Sequence, residues 1–126
     1  MPEHEPLPRW QVRLATVAEN DLDAIIDYFL QREEFDIAAD VMRDFIHAKK
    51  SLETLPLRAH YPSELTDMGI YSHREIHFRV YRIIFRAQEA LGQVHVDAIL
   101  DGRRDILQIL AQRLLRPVSE TAGGVP

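Results

Sequence analysis

Apolar and polar residues alternate from Trp10 to Leu14 (WQVRL), the period of a half-buried strand, and the spacing then becomes helical. Ala18, Leu22, Ile25, Ile26 and Phe29 recur on one face of a helix, while Asp23, Asp27 and Gln31 fall away from it. Thr16 and Glu19 have the separation of a capping box that would open this helix. After a break at Glu33–Phe35, Asp36 is placed to cap a second helix. Its stripe is Ala38, Val41, Met42, Phe45, Ala48, Leu52 and Leu55, and Pro56 ends it. Two amphipathic helices on so short a link form an antiparallel hairpin whose apolar faces need a third surface.

The second half supplies that surface. Residues 56–72 read as a loop-rich connection with two prolines and a glycine. From Arg74 to Phe78, Ile76 and Phe78 share one strand face and Glu75 and His77 the other, with a turn at Arg79–Val80. Tyr81 to Gln88 puts Tyr81, Ile83, Phe85 and Ala87 on one face and Arg82, Ile84 and Arg86 on the other. Glu89 to Gly92 makes a turn, and Val94, Val96, Ala98 and Leu100 form the next expected apolar face. A final helix runs from Ile106 to about Arg116, with Asp105 as its N-cap and Pro117 as its stop. The expected order is β-α-α-β-β-β-α. This is an α+β fold in which a helix hairpin packs on one face of a small, curved, mostly antiparallel sheet. It occupies residues 10–116, between a disordered arm at 1–9 and a disordered tail at 117–126.

The chain has 126 residues, 46% hydrophobic and 28% charged, which suits one ordinary globular domain. No apolar run reaches the roughly 20 residues of a membrane span. The start, MPEHEPLPRW, has no basic segment leading into an apolar one, so no secretory signal is expected. Without cysteine there is no disulfide framework, and a cytoplasmic location is expected. The net charge of −5 is unevenly spread: acids dominate the first half, and arginines outnumber them in the second. Such a balance lacks the basic stripe of a phosphate-backbone binder and argues against nucleic acid as a direct partner.

Candidate chemistry is sparse. His73 and His77 in HREIH have the i,i+4 spacing of a helical metal pair. On a strand, four residues at about 3.3 Å each separate the rings by roughly 13 Å, so no metal is expected there. No serine stands in a nucleophile elbow and no glycine-rich phosphate loop exists, so no cofactor is expected. Arg82 and Arg86 share a strand face, either solvated and paired with Glu75 or Asp97, or forming with Arg79 and Arg104 a basic floor for RNA phosphate. The knot DGRRD has a structural reading too: Asp101 and Gly102 turn, Asp105 caps, and one arginine reaches back to an acid. The second arginine is then left over as a rigid, multidentate contact.

The strings YRIIFR, AILDGRRDIL and QRLL, with DLDAIIDYF supplying Asp21, Leu22, Ile25 and Tyr28 in the first helix, resemble the ParE branch of the RelE/ParE toxin superfamily. The resemblance spans about residues 10 to 115. It implies two helices over a small antiparallel sheet and a ParD-like antitoxin whose C-terminal segment wraps the toxin. It also implies a higher-order toxin–antitoxin complex, and DNA gyrase as the target of ParE members. RelE members instead cleave mRNA on the ribosome with basic residues and commonly a late Tyr or His. Arg82 and Arg104 match two RelE-type arginine positions, whereas the last helix reads Ile106, Leu107, Ile109, Leu110 where an aromatic would stand. The resemblance thus favours a gyrase-directed toxin without catalytic residues, contacting its target through Arg103, Arg104, Asp105 and Arg113. The alternatives are a ribonuclease built on Arg82, Arg86 and Arg104, and an inert relative that only pairs with an antitoxin and regulates the operon.

Overall fold

A computed structural model describes residues 9–114; the expected N-terminal arm, the Pro117 stop and the C-terminal tail lie outside them, apart from Arg9. Strand β1 (Gln11–Leu14) leads into helix α1 (Thr16–Gln31) and helix α2 (Phe35–Thr54). The connection is less irregular than its composition predicts. A 3-10 turn at Pro56–Arg58 and a one-turn helix α3 (Ser63–Thr66) precede β2 (Arg74–Phe78). Strands β3 (Tyr81–Gln88) and β4 (Gln93–Asp101) and helix α4 (Ile106–Leu114) complete the order. No helix among the described residues is long and apolar enough to cross a membrane.

The sheet runs β1-β4-β3-β2, with antiparallel pairing of β2 with β3 and β3 with β4. The first strand pairs parallel with the last, Val12 opposite Val94 and Leu14 opposite Val96. This pairing brings together chain ends that the whole helix hairpin separates, so no local pattern announces it. The hairpin covers one face. Ala18, Leu22, Val41, Phe45 and Leu52 meet Ile83, Phe85, Val94, Val96 and Ile99 in the main core.

Strand β4 departs from simple alternation. Ile84 pairs with Ala98 and Phe85 with Val96, so Asp97 is an extra residue, a β-bulge. One inserted residue exchanges the faces downstream. Val94, Val96 and Ile99 therefore point to the hairpin. Ala98 and Leu100, expected to continue the face of Val94 and Val96, instead join Leu65, Ile84, Ile106 and Leu110 in a second core on the opposite face. The sheet is thus covered on both faces, by α1 and α2 on one and by α3 and α4 on the other, rather than on one alone.

Two expected helix starts are also displaced. The Ala15 amide bonds to the Val96 carbonyl at 2.9 Å, which sets the strand-to-helix junction at Ala15. Thr16 is then already helical, and no side chain caps α1. Glu33 adopts a left-handed conformation (φ 58°) that reverses the chain between the helices. Helix α2 consequently begins at Phe35, with Asp36 in its first turn, where a carboxylate favours the helix dipole without capping it. Leu55 of the expected stripe is exposed.

The cap on α4 is formed as expected: the Gln108 amide donates to Asp105 Oδ1 at 3.2 Å. Asp105→Ala should lower stability by about 1 kcal/mol in urea denaturation while leaving the far-UV spectrum unchanged.

Candidate functional site

Strand β1 ends opposite Val96, so the outer edge of β4 beyond that residue has no strand neighbour. Buried backbone groups there need other partners. Asp21, on α1, accepts the Ile99 amide proton at 2.9 Å. Arg113, on α4, donates to the Asp97 carbonyl at 3.2 Å. The two side chains also bond each other twice, each bond 2.7 Å long, in a bidentate carboxylate–guanidinium pair. Hydrogen bonding to Asp21 raises the Arg113 pKa above its ordinary value. A side-chain pair thereby takes the place of a strand and ties α1, β4 and α4 together.

The charged turn lies next to this tie. The Gly102 amide bonds to the Val80 carbonyl at 2.8 Å, and a Cβ on Gly102 would approach that oxygen to 3.2 Å, so the close approach favours glycine. Asp101 accepts from the Arg103 amide at 2.9 Å and from its guanidinium at 3.1 Å. These bonds hold the Asp101 carboxyl below, and the Arg103 guanidinium above, their ordinary pKa values. The Arg104 amide bonds to the Asp101 carbonyl at 3.0 Å. Its exposed side chain has no hydrogen-bond or ion-pair partner among the described residues. Arg103, Arg104 and Arg113 line one groove of about 650 Å³, walled by Asp21, Ile25 and Tyr28 of α1 and by Tyr81. Asp105 is exposed, but its carboxylate serves α4.

Arg82 and Arg86 lie elsewhere and do different work. Arg82 is buried, with a fork on both oxygens of Glu64 (2.7 and 2.8 Å) and Nε on Glu75 Oε1 at 2.6 Å. Arg86 donates twice to Asp97 (2.7 and 3.1 Å). The expected partners Glu75 and Asp97 are found; Arg82 is buried rather than solvated, while the Arg86 side chain is 40% exposed. One guanidinium between two carboxylates leaves a net negative charge, and the Arg86–Asp97 pair leaves none. The hydrogen bonds from Arg82 hold the Glu64 carboxyl at about 2. Burial alone would raise Asp97, but hydrogen bonds from His73 and Arg86 outweigh it and leave that carboxyl below its ordinary value.

His73 and Glu75 are buried. His73 lies between Ser72 Oγ (2.7 Å) and Asp97 Oδ2 (3.2 Å), away from His77. His77 instead neighbours Glu75 and His60. The charged strip formed by Glu64, Glu75, Arg82, Arg86 and Asp97 adjoins the second core, and α3, which carries Glu64, lies in what the sequence presents as loop.

A family model described as "ParE toxin of type II toxin-antitoxin system, parDE" matches residues 12–106. Among solved structures, the chain resembles the chromosomal ParDE TA system from P. aeruginosa. The TM-score is 0.57 at 16% identity, over 71% of this chain and 92% of that one. The RelBE2 toxin–antitoxin complex of Mycobacterium tuberculosis gives a TM-score of 0.49 at 20% identity, over 72% and 95% of the two chains. At such identities the first likeness speaks for the fold alone. No curated protein sequence matches the chain.

Asp21→Ala removes the acceptor for Ile99 and the counter-charge of Arg113 together, and should cost about 2–3 kcal/mol in urea denaturation. A loss below about 0.5 kcal/mol, the size of an ordinary surface change, would remove the strand-substitute role from the Asp21–Arg113 pair. Glu64 has its pKa lowered from 4.5 to about 2, so its contribution to stability is complete above 4.5 and is lost as pH falls from there towards 2. Stability measured between pH 6 and about 2.5 should therefore fall less steeply in Glu64→Gln than in the parent chain.

Proposed function

The chain belongs to the ParE toxin family of type II toxin–antitoxin systems, and on that premise we propose that it arrests growth in the cytoplasm by binding DNA gyrase through the Arg103–Arg104 turn and the adjoining groove. The observation that carries this reading is the state of Arg104. It is an exposed guanidinium with no partner among the described residues, on a turn held by three backbone hydrogen bonds or Asx contacts. An arginine presented on a fixed turn beside a groove of mixed polar and apolar lining is a favourable protein contact, because its planar fork makes several directed hydrogen bonds with little further ordering. Tyr28, 55% exposed, and Val80, 64% exposed, supply apolar surface at the same groove. Arg103 contributes in exchange for its exposed bond to Asp101, and Arg113 acts by holding α4 against α1.

The ribonuclease reading draws less support. Of its three arginines only Arg104 has no partner among the described residues; Arg82 is held by Glu64 and Glu75, and Arg86 by Asp97. A phosphate drawing on Arg82 would compete with Glu64 and Glu75 for its guanidinium, and one drawing on Arg86 would compete with Asp97.

A ParD-like antitoxin is the proposed partner, within a higher-order complex. The groove between α3 and α4, about 320 Å³ and lined by Leu65, Met68, Ile70, Leu107, Leu110 and Ala111, is almost wholly apolar. Phe35, 60% exposed, adds apolar surface on the hairpin. Such surface is unfavourable in water and suits an amphipathic segment laid across it.

The test is induction without the antitoxin, with DNA-damage signalling and cell filamentation followed beside protein synthesis. Filamentation with continued translation supports the gyrase reading; immediate loss of translation with cuts in ribosome-bound mRNA overturns it. Arg103→Ala with Arg104→Ala should abolish growth arrest and inhibition of gyrase supercoiling, shift stability by no more than a few tenths of a kcal/mol, and leave antitoxin binding intact. A folded double variant that is still toxic would return both arginines to solvent.

A further inference from the structure

On the face of β2 away from the main core, three potential metal ligands converge through backbone geometry alone. Glu75 and His77 are two residues apart on one strand, so their side chains leave the same face. The connection contributes the third: His60 forms an isolated antiparallel bridge with Glu75, with the Glu75 amide donating to the His60 carbonyl at 2.8 Å. Directly opposed residues in such a bridge also share a face. His60 Nε2 lies 2.8 Å from Glu75 Oε2, and His77 Nε2 lies 3.5 Å from Glu75 Oε1. One ligand atom from each residue falls within 4.8 Å of the other two.

We infer that His60, Glu75 and His77 form a binding site for a zinc-class divalent ion, which fastens the 56–72 connection to the edge of the sheet. Tetrahedral zinc with bonds of about 2.0–2.1 Å places its ligand atoms about 3.3 Å apart, so modest side-chain rotations gather the three donors. The two imidazoles are free to make them, their side chains being 62% and 56% exposed, and an ion can enter from that side. The carboxylate is the fixed member. Its side chain is 5% exposed and Arg82 Nε holds Oε1 at 2.6 Å, which orients Oε2 as a monodentate ligand. Arg82 is shared between Glu75 and Glu64, so one negative charge remains uncompensated where the dication would bind. Two nitrogen donors and one oxygen favour zinc and its first-row neighbours over magnesium or calcium, which take oxygen ligands. The fourth position is open to water or to a donor from a bound partner.

The site is independent of the gyrase-directed turn, and its test does not use toxicity. The full chain, produced without a histidine tag and treated with chelator, is titrated with zinc chloride by calorimetry and by competition with a zinc-sensitive dye. One ion per chain should bind, with a rise in melting temperature that magnesium chloride does not produce. In His60→Ala with His77→Ala, both the binding and the rise should be lost, the rise being read against the variant's own metal-free melting temperature because the variant also lacks the 2.8 Å contact of His60 with Glu75. Absence of saturable zinc binding by the wild-type chain overturns the proposal. So does equal binding by the double variant, which would place the ion elsewhere.

Discussion

Backbone hydrogen bonding along the last strand governs this molecule. Beyond Val96 the first strand has ended, yet β4 continues for five residues into the centre of the structure. A strand edge left bare there would bury polar groups without partners. Asp21 and Arg113 meet the Ile99 amide and the Asp97 carbonyl, and in pairing with each other they hold a helix on either side of that edge. The groove beside the charged turn is lined by Asp21 and Arg113 themselves, together with Ile25 and Tyr28 of α1. Loss of the pair would expose the edge and loosen α4 together.

The bulge at Asp97 is the companion of that arrangement. By exchanging faces within β4 it lets one strand serve the hairpin core through Val94, Val96 and Ile99 and the second core through Ala98 and Leu100. It also places the Asp97 carboxylate between His73 and Arg86, inside a strip of charge bordering the second core. Buried ion pairs of this kind are costly to break because removal of one partner strands the other. Arg82 and Arg86 are thus both engaged by carboxylates, whereas Arg104 on the turn after β4 has no partner among the described residues.

Two surfaces of different character are thereby separated. The turn offers an exposed arginine on a stiff frame, while the α3–α4 groove offers apolar area with little charge. The proposed target contact and the proposed antitoxin contact therefore fall on different surfaces, so each can be altered by substitution without rebuilding the other.

Local pattern alone determined much of this chain. The period-2 runs place the strands, the 3.6-residue stripes place both long helices, and Asp105 and Gly102 mark the turn and cap near the end of the sheet, because each of these depends only on neighbours a few residues away. The DGRRD knot was legible for the same reason: Arg103 reaches back two residues to Asp101, as a tight turn allows. What needed the tertiary structure involves residues distant in sequence. The parallel pairing of β1 with β4, the bulge that moves Ala98 and Leu100 to the opposite face, and the Asp21–Arg113 tie across 92 positions leave no periodic trace. Arg82 alternates like a solvent-facing residue and is buried because Glu64, on a helix within the supposed loop, closes over it. His60 likewise becomes a neighbour of His77 only when the connection pairs with β2. Periodicity records which face a residue occupies; whether that face meets water or another element is decided by which segments cover it.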